Sequence, residues 1–290
     1  MSLLPLLLSF PLFLALMVIE NFVGKRRGLK IYDSKETVSN ILCGVGHLCF
    51  DSFFRIGIFA LYSYFYDFRL FNIDSSVTSI ALLLILIDFT YYWFHRLSHQ
   101  SNIFWIIHRV HHQSEHYNYS VGLRQAWFHK LTAFWIYIPP AFLGFSAKDY
   151  IAVASIHAIS QIWTHTNMYS LKNSFLKYII VTPSHHHLHH ATNKPYINKN
   201  FSGIFSIWDY LFQSNVGEIS GIKTTYGVND LDCTLNVIDS NWTPLKNLYI
   251  DVKKLPSLND RLSLVFKAPG TFKPKEKDEL RFNLYSHRRT

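Results

Sequence analysis

Apolar residues fall in long blocks in this chain. Leu3–Val23 is almost wholly apolar and is followed by Lys25, Arg26, Arg27 and Lys30. A block of that length predicts a membrane-spanning helix. A secretory signal would carry its basic residues in front, not behind. The positive-inside rule then places Lys25–Lys30 in the cytoplasm and the N-terminus outside. Asn40–Tyr66 is a second apolar block, interrupted by His47, Asp51 and Arg55. These lie about one helical turn apart, so they are expected to pair with one another on a protein-facing side. Asp67–Ser76 reads as a short outer loop. Val77–Phe94, the most apolar block, runs directly into His95. Leu131–Phe145 and Tyr150–Trp163 are shorter and are broken by Pro139-Pro140 and Gly144–Asp149. They predict a hairpin that dips into the membrane and returns.

Between the blocks, Ile103–Gln113 predicts a cytoplasmic helix. Ser114–Trp127 is polar and aromatic and is expected to end in an interfacial helix, with Glu115 pairing with Arg124 or supporting a metal shell. Gly217–Thr290 is polar with scattered Pro and Gly, and it is expected to pack against the cytoplasmic cap around Leu255–Pro274. The predicted fold class is an all-α integral membrane protein. It would have three full transmembrane helices, the dipping hairpin, and a cytoplasmic helical cap holding a histidine-rich dimetal site. The predicted division is 1–80 membrane helices, 81–213 catalytic domain and 214–290 tail.

Composition sharpens this picture. The chain has 290 residues, 49% hydrophobic and 16% charged, with a net charge of +9. Its basic residues flank the apolar blocks or lie in the tail, so an anionic membrane surface is the expected partner rather than nucleic acid. Cys43, Cys49 and Cys233 are few and scattered, which gives no disulfide framework and fits a reducing compartment.

Fourteen of the 16 histidines lie between His95 and His190. They include His95-x3-His99, His108-x2-His111-His112 and His186-x2-His189-His190. On a helix, residues three or four apart share a face, so each set is expected to point together. Imidazole is the commonest side-chain ligand of transition metals. Eight imidazoles exceed the needs of one ion and suit two placed close together. Such a site admits iron, zinc, copper or manganese on ligand chemistry alone. Asp88, seven residues before His95, is expected to orient a ligating imidazole. A non-enzymatic metal-binding or metal-transport membrane protein is the alternative, but a transporter would hold its ligands near the bilayer midplane. No Rossmann or P-loop fingerprint is visible, so electrons would come from a separate donor.

The order HX3H, HX2HH, HX2HH after a hydrophobic region resembles the fatty acid hydroxylase / sterol desaturase superfamily of integral-membrane di-iron oxygenases, and within it the alkylglycerol monooxygenase-like members. The resemblance is carried by DFTYYWFHRLSH (Asp88–His99), IHRVHHQSEHYNYSVGLRQAW (Ile107–Trp127), QIWTHTN (Gln161–Asn167) and TPSHHHLHHATNKPYINKNFSGIFSIWDYLF (Thr182–Phe212). It implies His165 as a ninth ligand beside His95, His99, His108, His111, His112, His186, His189 and His190. Fatty acyl hydroxylases place a histidine where this chain has Gln161, which leaves Gln161, His185 or water for a tenth position. Asp88, Tyr92, Asn118 and Asn193 are expected around the ligands. The resemblance further implies two non-haem irons, replaceable by zinc in purified protein, and hydroxylation or desaturation of an ether lipid, a sterol or hopanoid, or a fatty acyl chain. The implied reductant is a cytochrome b5-like protein, a ferredoxin or a tetrahydropterin. The implied location is the bacterial inner membrane or the endoplasmic reticulum, with the site facing the cytoplasm.

Overall fold

The computed structural model describes residues 4–272 except 167, 170, 172 and 229–233, with side chains from residue 11 onward. Cys233, His287 and the basic end of the chain lie outside the described residues. Among the described residues the fold is helical, and the one β-bridge, Ile180 with Phe205, is isolated. Three long helices come first: α1 (Leu4–Arg26), α2 (Ser34–Asp67) and α3 (Val77–Gln100). Asp33 caps α2 by accepting from the amides of Lys35 and Glu36, and Ser76 forms a capping box with Ser79 at the start of α3. Shorter helices follow: α4 (Asn102–His112), α5 (His129–Ala133), α6 (Ile138–Leu143), α7 (Ala147–Ser160), α8 (Pro183–His189) and α9 (Ile207–Leu211). Two more close the described chain: α10 (Val237–Lys254) and α11 (Leu258–Phe266).

Among the described residues, α2 and α3 are long and apolar enough to cross a membrane. Only 6% of the apolar window of α2 is buried. A core helix of a soluble protein would be buried, whereas Phe53 and Ile56 of α2 are 77% and 82% exposed. That surface suits a lipid neighbour.

α2, α3, α6 and α7 share one apolar core built on Tyr62, Leu83, Ile87, Tyr137, Ala141 and Val153. Pro139 and Pro140 sit in the first turn of α6, where a missing N–H is harmless. Gly144 ends α6 with a left-handed φ of 109°, and a Cβ there would collide with the carbonyl oxygen of Phe71. The Leu70 amide donates to the Phe142 carbonyl (2.8 Å), and Ser75 donates to Asp149 (3.1 Å). The α6–α7 turn therefore meets the α2–α3 loop at the end of the bundle away from the histidines. The hairpin does more than dip, because its tip reaches as far as the neighbouring helices do.

Three further expectations change. His47 of α2 does not join Asp51; its Nδ1–H donates to the Ala126 carbonyl (2.8 Å), while Asp51 pairs with Arg55 (3.3 Å) and Lys130 (3.0 Å). The interfacial helix expected before Trp127 is a single 3-10 turn over Tyr119–Leu123, because Asn118 caps it and Gly122 lies within it. Arg124 does not pair with Glu115. Its five N–H groups donate to the Val110 carbonyl, Ser39, Asn40, Gln113 and Ser240. The polar C-terminal region forms α10 and α11, started by Asn236 and Ser257 caps. Leu248, Leu255 and Leu264 from this region join Cys43, Ile106 and Val110 in a second core beneath the cap.

Candidate metal centre

α3 continues past its apolar segment through His95 and His99, and Ser101 then breaks the helix so that α4 starts at Asn102. α8 begins at Pro183 behind Thr182 and carries His186 and His189, with His190 as its C-cap. His165 follows a 3-10 turn over Ile162–Thr164 at the end of α7. These elements bring nine imidazoles together in two groups: His95, His99, His108, His112 and His189 in one, and His111, His165, His186 and His190 in the other. Within each group the nitrogens lie within 4.8 Å of one another, and all nine residues are buried except His108, which is partly so.

Each HX2HH segment splits between the two groups, instead of pointing as one. Residues 108 and 112 are a helical turn apart and share a face, whereas His111 is offset by about 100° from His112. α4 thus gives a pair to the larger group and one imidazole to the smaller; α8 does the reverse. The groups are adjacent, since the His112 and His190 rings stack at 4.2 Å.

Hydrogen bonds on the outer nitrogens set the tautomers. The Nδ1–H of His111 donates to the Arg124 carbonyl (3.0 Å) and that of His165 to the Gln161 carbonyl (3.1 Å). Both Nε2 atoms then carry lone pairs, yet they stand 3.3 Å apart. Two lone pairs held face to face repel unless a cation lies between them. Other Nε2 pairs are spaced alike: His95–His108 at 3.1 Å, His108–His112 at 3.2 Å, His165–His186 at 3.0 Å and His186–His190 at 3.2 Å. Ligand atoms about 2.1 Å from a shared ion are separated by roughly 3.0–3.4 Å. The donor set fits two transition-metal ions, one per group. Burial pushes His111 down to about 4 and His165 to about 3. Burial, then neighbouring imidazoles, holds His108, His112, His186 and His190 well below the ordinary value. Near neutral pH these rings are uncharged, the form that ligates.

The surrounding residues differ from expectation. Asp88 does not touch a ligand imidazole. Its carboxylate accepts from His157 Nε2 (2.8 Å), the amides of Ile204 (2.6 Å) and Phe205 (2.9 Å), and Trp208 Nε1 (2.8 Å). These four donors fill it. Tyr92, one residue round the helix from Tyr91, faces Ser214 (2.7 Å) and Arg96 (2.8 Å), while Tyr91 packs against His95. Asn118 binds Ser120, the Ile31 carbonyl and the His116 carbonyl, so it shapes the turn. Asn193 ties residues 193 and 223–225 together through the Lys223 carbonyl and the Thr225 amide. The Gln161 side chain goes to His157, and His185 Nδ1 to Thr182, so neither joins a metal group.

Sequence reasoning missed the backbone that holds the rings. The Phe201 carbonyl accepts from His95 Nδ1 (2.8 Å) and the Lys199 carbonyl from His189 Nδ1 (2.9 Å). Asp209 pins this loop by accepting from the amides of Phe201 and Ser202, and Asn198 and Asn200 turn it with φ of 58° and 59°. The paired asparagines and Gly203 were the available signal.

The fatty acid hydroxylase family matches residues 80–214, the span that contains both imidazole groups. That match supports assigning the chain to the fatty acid hydroxylase superfamily. It is similar to the alkylglycerol monooxygenase of Homo sapiens, with 34% identity over 90% of this chain and 58% of the relative. The alkylglycerol monooxygenase of Xenopus tropicalis is 31% identical over 90% of this chain and 57% of its own length, and that of Caenorhabditis elegans 31% over 82% and 49%. The chain spans about half the length of the curated relatives it matches. No solved structure matches it significantly.

Proposed function

We propose that this protein is a membrane-bound, O2-dependent lipid monooxygenase with two iron ions, and that its substrate is an alkylglycerol-type ether lipid. The observation that carries this is the pair of buried all-imidazole groups with Nε2 lone pairs converging at 3.0–3.3 Å. The alkylglycerol monooxygenase relatives support the substrate class. The larger group, His95, His99, His108, His112 and His189, would hold one iron, and His111, His165, His186 and His190 the other. When bound, the irons would supply the activation of dioxygen needed to attack an unactivated C–H bond. The chain's share is to keep its imidazoles neutral and aimed, through the carbonyls of Lys199, Phe201, Arg124 and Gln161. It also screens the site: Trp105 is 2% exposed and, with Val228, lines the small cavity that reaches His99, His112 and His189.

The site lies at the C-terminal end of α3, so a lipid would present its headgroup-proximal carbons there while its tail stays in the bilayer. We place that end, with Lys25–Lys30, on the cytoplasmic face. α1, α2 and α3 are read as full spans of residues 1–80 and the start of a catalytic domain running to 213. The reductant, a tetrahydropterin by analogy with the resemblance or else a cytochrome b5-like protein or ferredoxin, comes from outside the chain. The test is metal analysis of protein produced with iron supplied, followed by product analysis with an alkylglycerol, O2 and each reductant in turn. About two irons per chain and O2-dependent loss of the ether lipid are expected. Iron-loaded protein that turns over no lipid with any reductant would overturn the oxygenase reading. Turnover of a sterol or free fatty acid alone would overturn the substrate.

A further inference from the structure

α10 carries large apolar side chains on its outer face as well as its inner one. Its buried residues are Ser240, Asn241, Pro244, Asn247, Leu248 and Asp251, with Val237, Leu245 and Val252 partly buried against the same core. Its exposed positions carry Ile238 at 59%, Trp242 at 50% and Tyr249 at 59%. Ile238, Trp242, Lys246, Tyr249 and Lys253 are spaced by four, four, three and four residues and form one face. The Lys253 ammonium lies 4.4 Å over the Tyr249 ring. α11 repeats the arrangement, with Leu258, Leu262 and Phe266 exposed at 70%, 48% and 60% along one stripe while Leu264 is fully buried. An aqueous surface does not favour a helix with this distribution.

Two observations name what covers it. The surface is continuous with the exposed apolar side of α2: the Trp242 ring packs on Phe128, which packs on Phe50 of α2, one turn from the exposed Phe53. Its charge is also one-sided. Lys246, Lys253, Lys254 and Arg261 are exposed on these two helices, against Asp239 alone among fully exposed acids. Aromatic and aliphatic side chains interleaved with lysine on one helical face suit the headgroup region of an anionic bilayer.

We infer that α10 and α11 lie on the bilayer surface at the histidine end of the bundle, their apolar stripes among the acyl–headgroup boundary and their lysines on anionic phospholipid headgroups. The two helices thereby fix the cap, through Leu248 and Leu264 against Ile106 and Val110 of α4, at a set height over the membrane. The inference requires membrane residence but not iron, and it stands whether or not the lipid oxygenase reading holds.

The test uses the full chain carrying an NBD fluorophore at L262C or, as a solvent control, at S220C, both in a C49S/C233S background. Each protein is placed in detergent and in vesicles of phosphatidylcholine with or without phosphatidylglycerol. In vesicles the Leu262 probe is expected to shift to the blue, gain intensity severalfold and be quenched by nitroxide-labelled lipid, with no such change at Ser220. K246E/K253E/K254E is expected to lose the part of the response that depends on phosphatidylglycerol while keeping its iron content. An unquenched, water-like probe at Leu262 in vesicles overturns the inference. So does a probe already blue in detergent and unaffected by nitroxide lipid, since that would place a second copy of the chain on this face.

Discussion

At the scale of single residues, the decisive fact is which nitrogen of each ring carries the proton. His111 and His165 give their Nδ1 protons to backbone carbonyls, which leaves Nε2 for a metal. Removing one ring from the smaller group should release its ion and spare the other. H165A is expected to retain about one iron per chain and to lose turnover by more than about 100-fold, read by metal analysis beside product formation. Protons compete with metal for the same atoms. Folded His111 sits at about 4 and His165 at about 3, below the ordinary imidazole value of about 6.5. Below that value the unfolded chain binds protons that the folded chain refuses, so stability falls as pH drops from about 6.5 toward about 4 and is flat above. Melting temperature and retained iron, measured from pH 8 down to 5, should both decline only in the lower half of that range. The histidine motifs were readable because spacing alone reports a helical face. The division of each HX2HH between two imidazole groups was not, since it depends on which rings of α3, α8 and His165 meet each face of α4.

At the scale of elements, the loop from Asn198 to Ser206 does for the rings what a helix could not. A helical carbonyl is already taken by its own ladder, whereas the carbonyls of Lys199 and Phe201 are free to accept imidazole N–H groups. Asp88 holds the far side of this loop through two amides and the Trp208 indole. Its position on the ligand-bearing helix was legible, but its target was not, because the partners come from residues 69 to 120 positions away. D88N replaces one acceptor oxygen with a donor facing N–H groups. A loss of about 3 kcal/mol in stability is expected by thermal unfolding, together with a roughly 10-fold or greater fall in iron retention. Gly203 packs in the same place: a Cβ there would lie 2.7 Å from Asp88 Oδ1 and 2.8 Å from His157 Nε2. G203A should therefore destabilise by about 1–3 kcal/mol, and the D88N/G203A double variant should lose less than the two losses added, as neighbours sharing one contact do. α10 escaped sequence reading for a related reason. Polar and apolar residues are mixed on both its inner and outer faces, so its pattern looks like a solvated tail.

At the scale of the whole molecule, the C-terminal end of α1, the start of α2 and the end of α3 gather at the histidines, while the α2–α3 loop and the α6–α7 turn gather at the other end. The Ile31 carbonyl bonds to Asn118, and the Glu36 carboxylate to His116, at the first end; Ser75 bonds to Asp149 at the second. One topological measurement therefore orients everything. In intact cells an impermeant thiol reagent should label S75C and leave G28C unlabelled, both in the C49S/C233S background; the reverse pattern would put the histidines outside. The apolar blocks made the bundle legible. The reach of the hairpin was hidden by its prolines and short helices. The distance from Val77 to His95 has a further consequence. Eighteen residues of helix measure about 27 Å, close to the roughly 30 Å of a bilayer's hydrocarbon, so α3 works as a depth gauge. On the proposed ether-lipid reading, it would set the reactive centre by distance from the glycerol backbone, not by distance from the tail's end. Ether lipids that differ only in chain length should compete on nearly equal terms, and moving the scissile carbon a few bonds down the chain should abolish turnover.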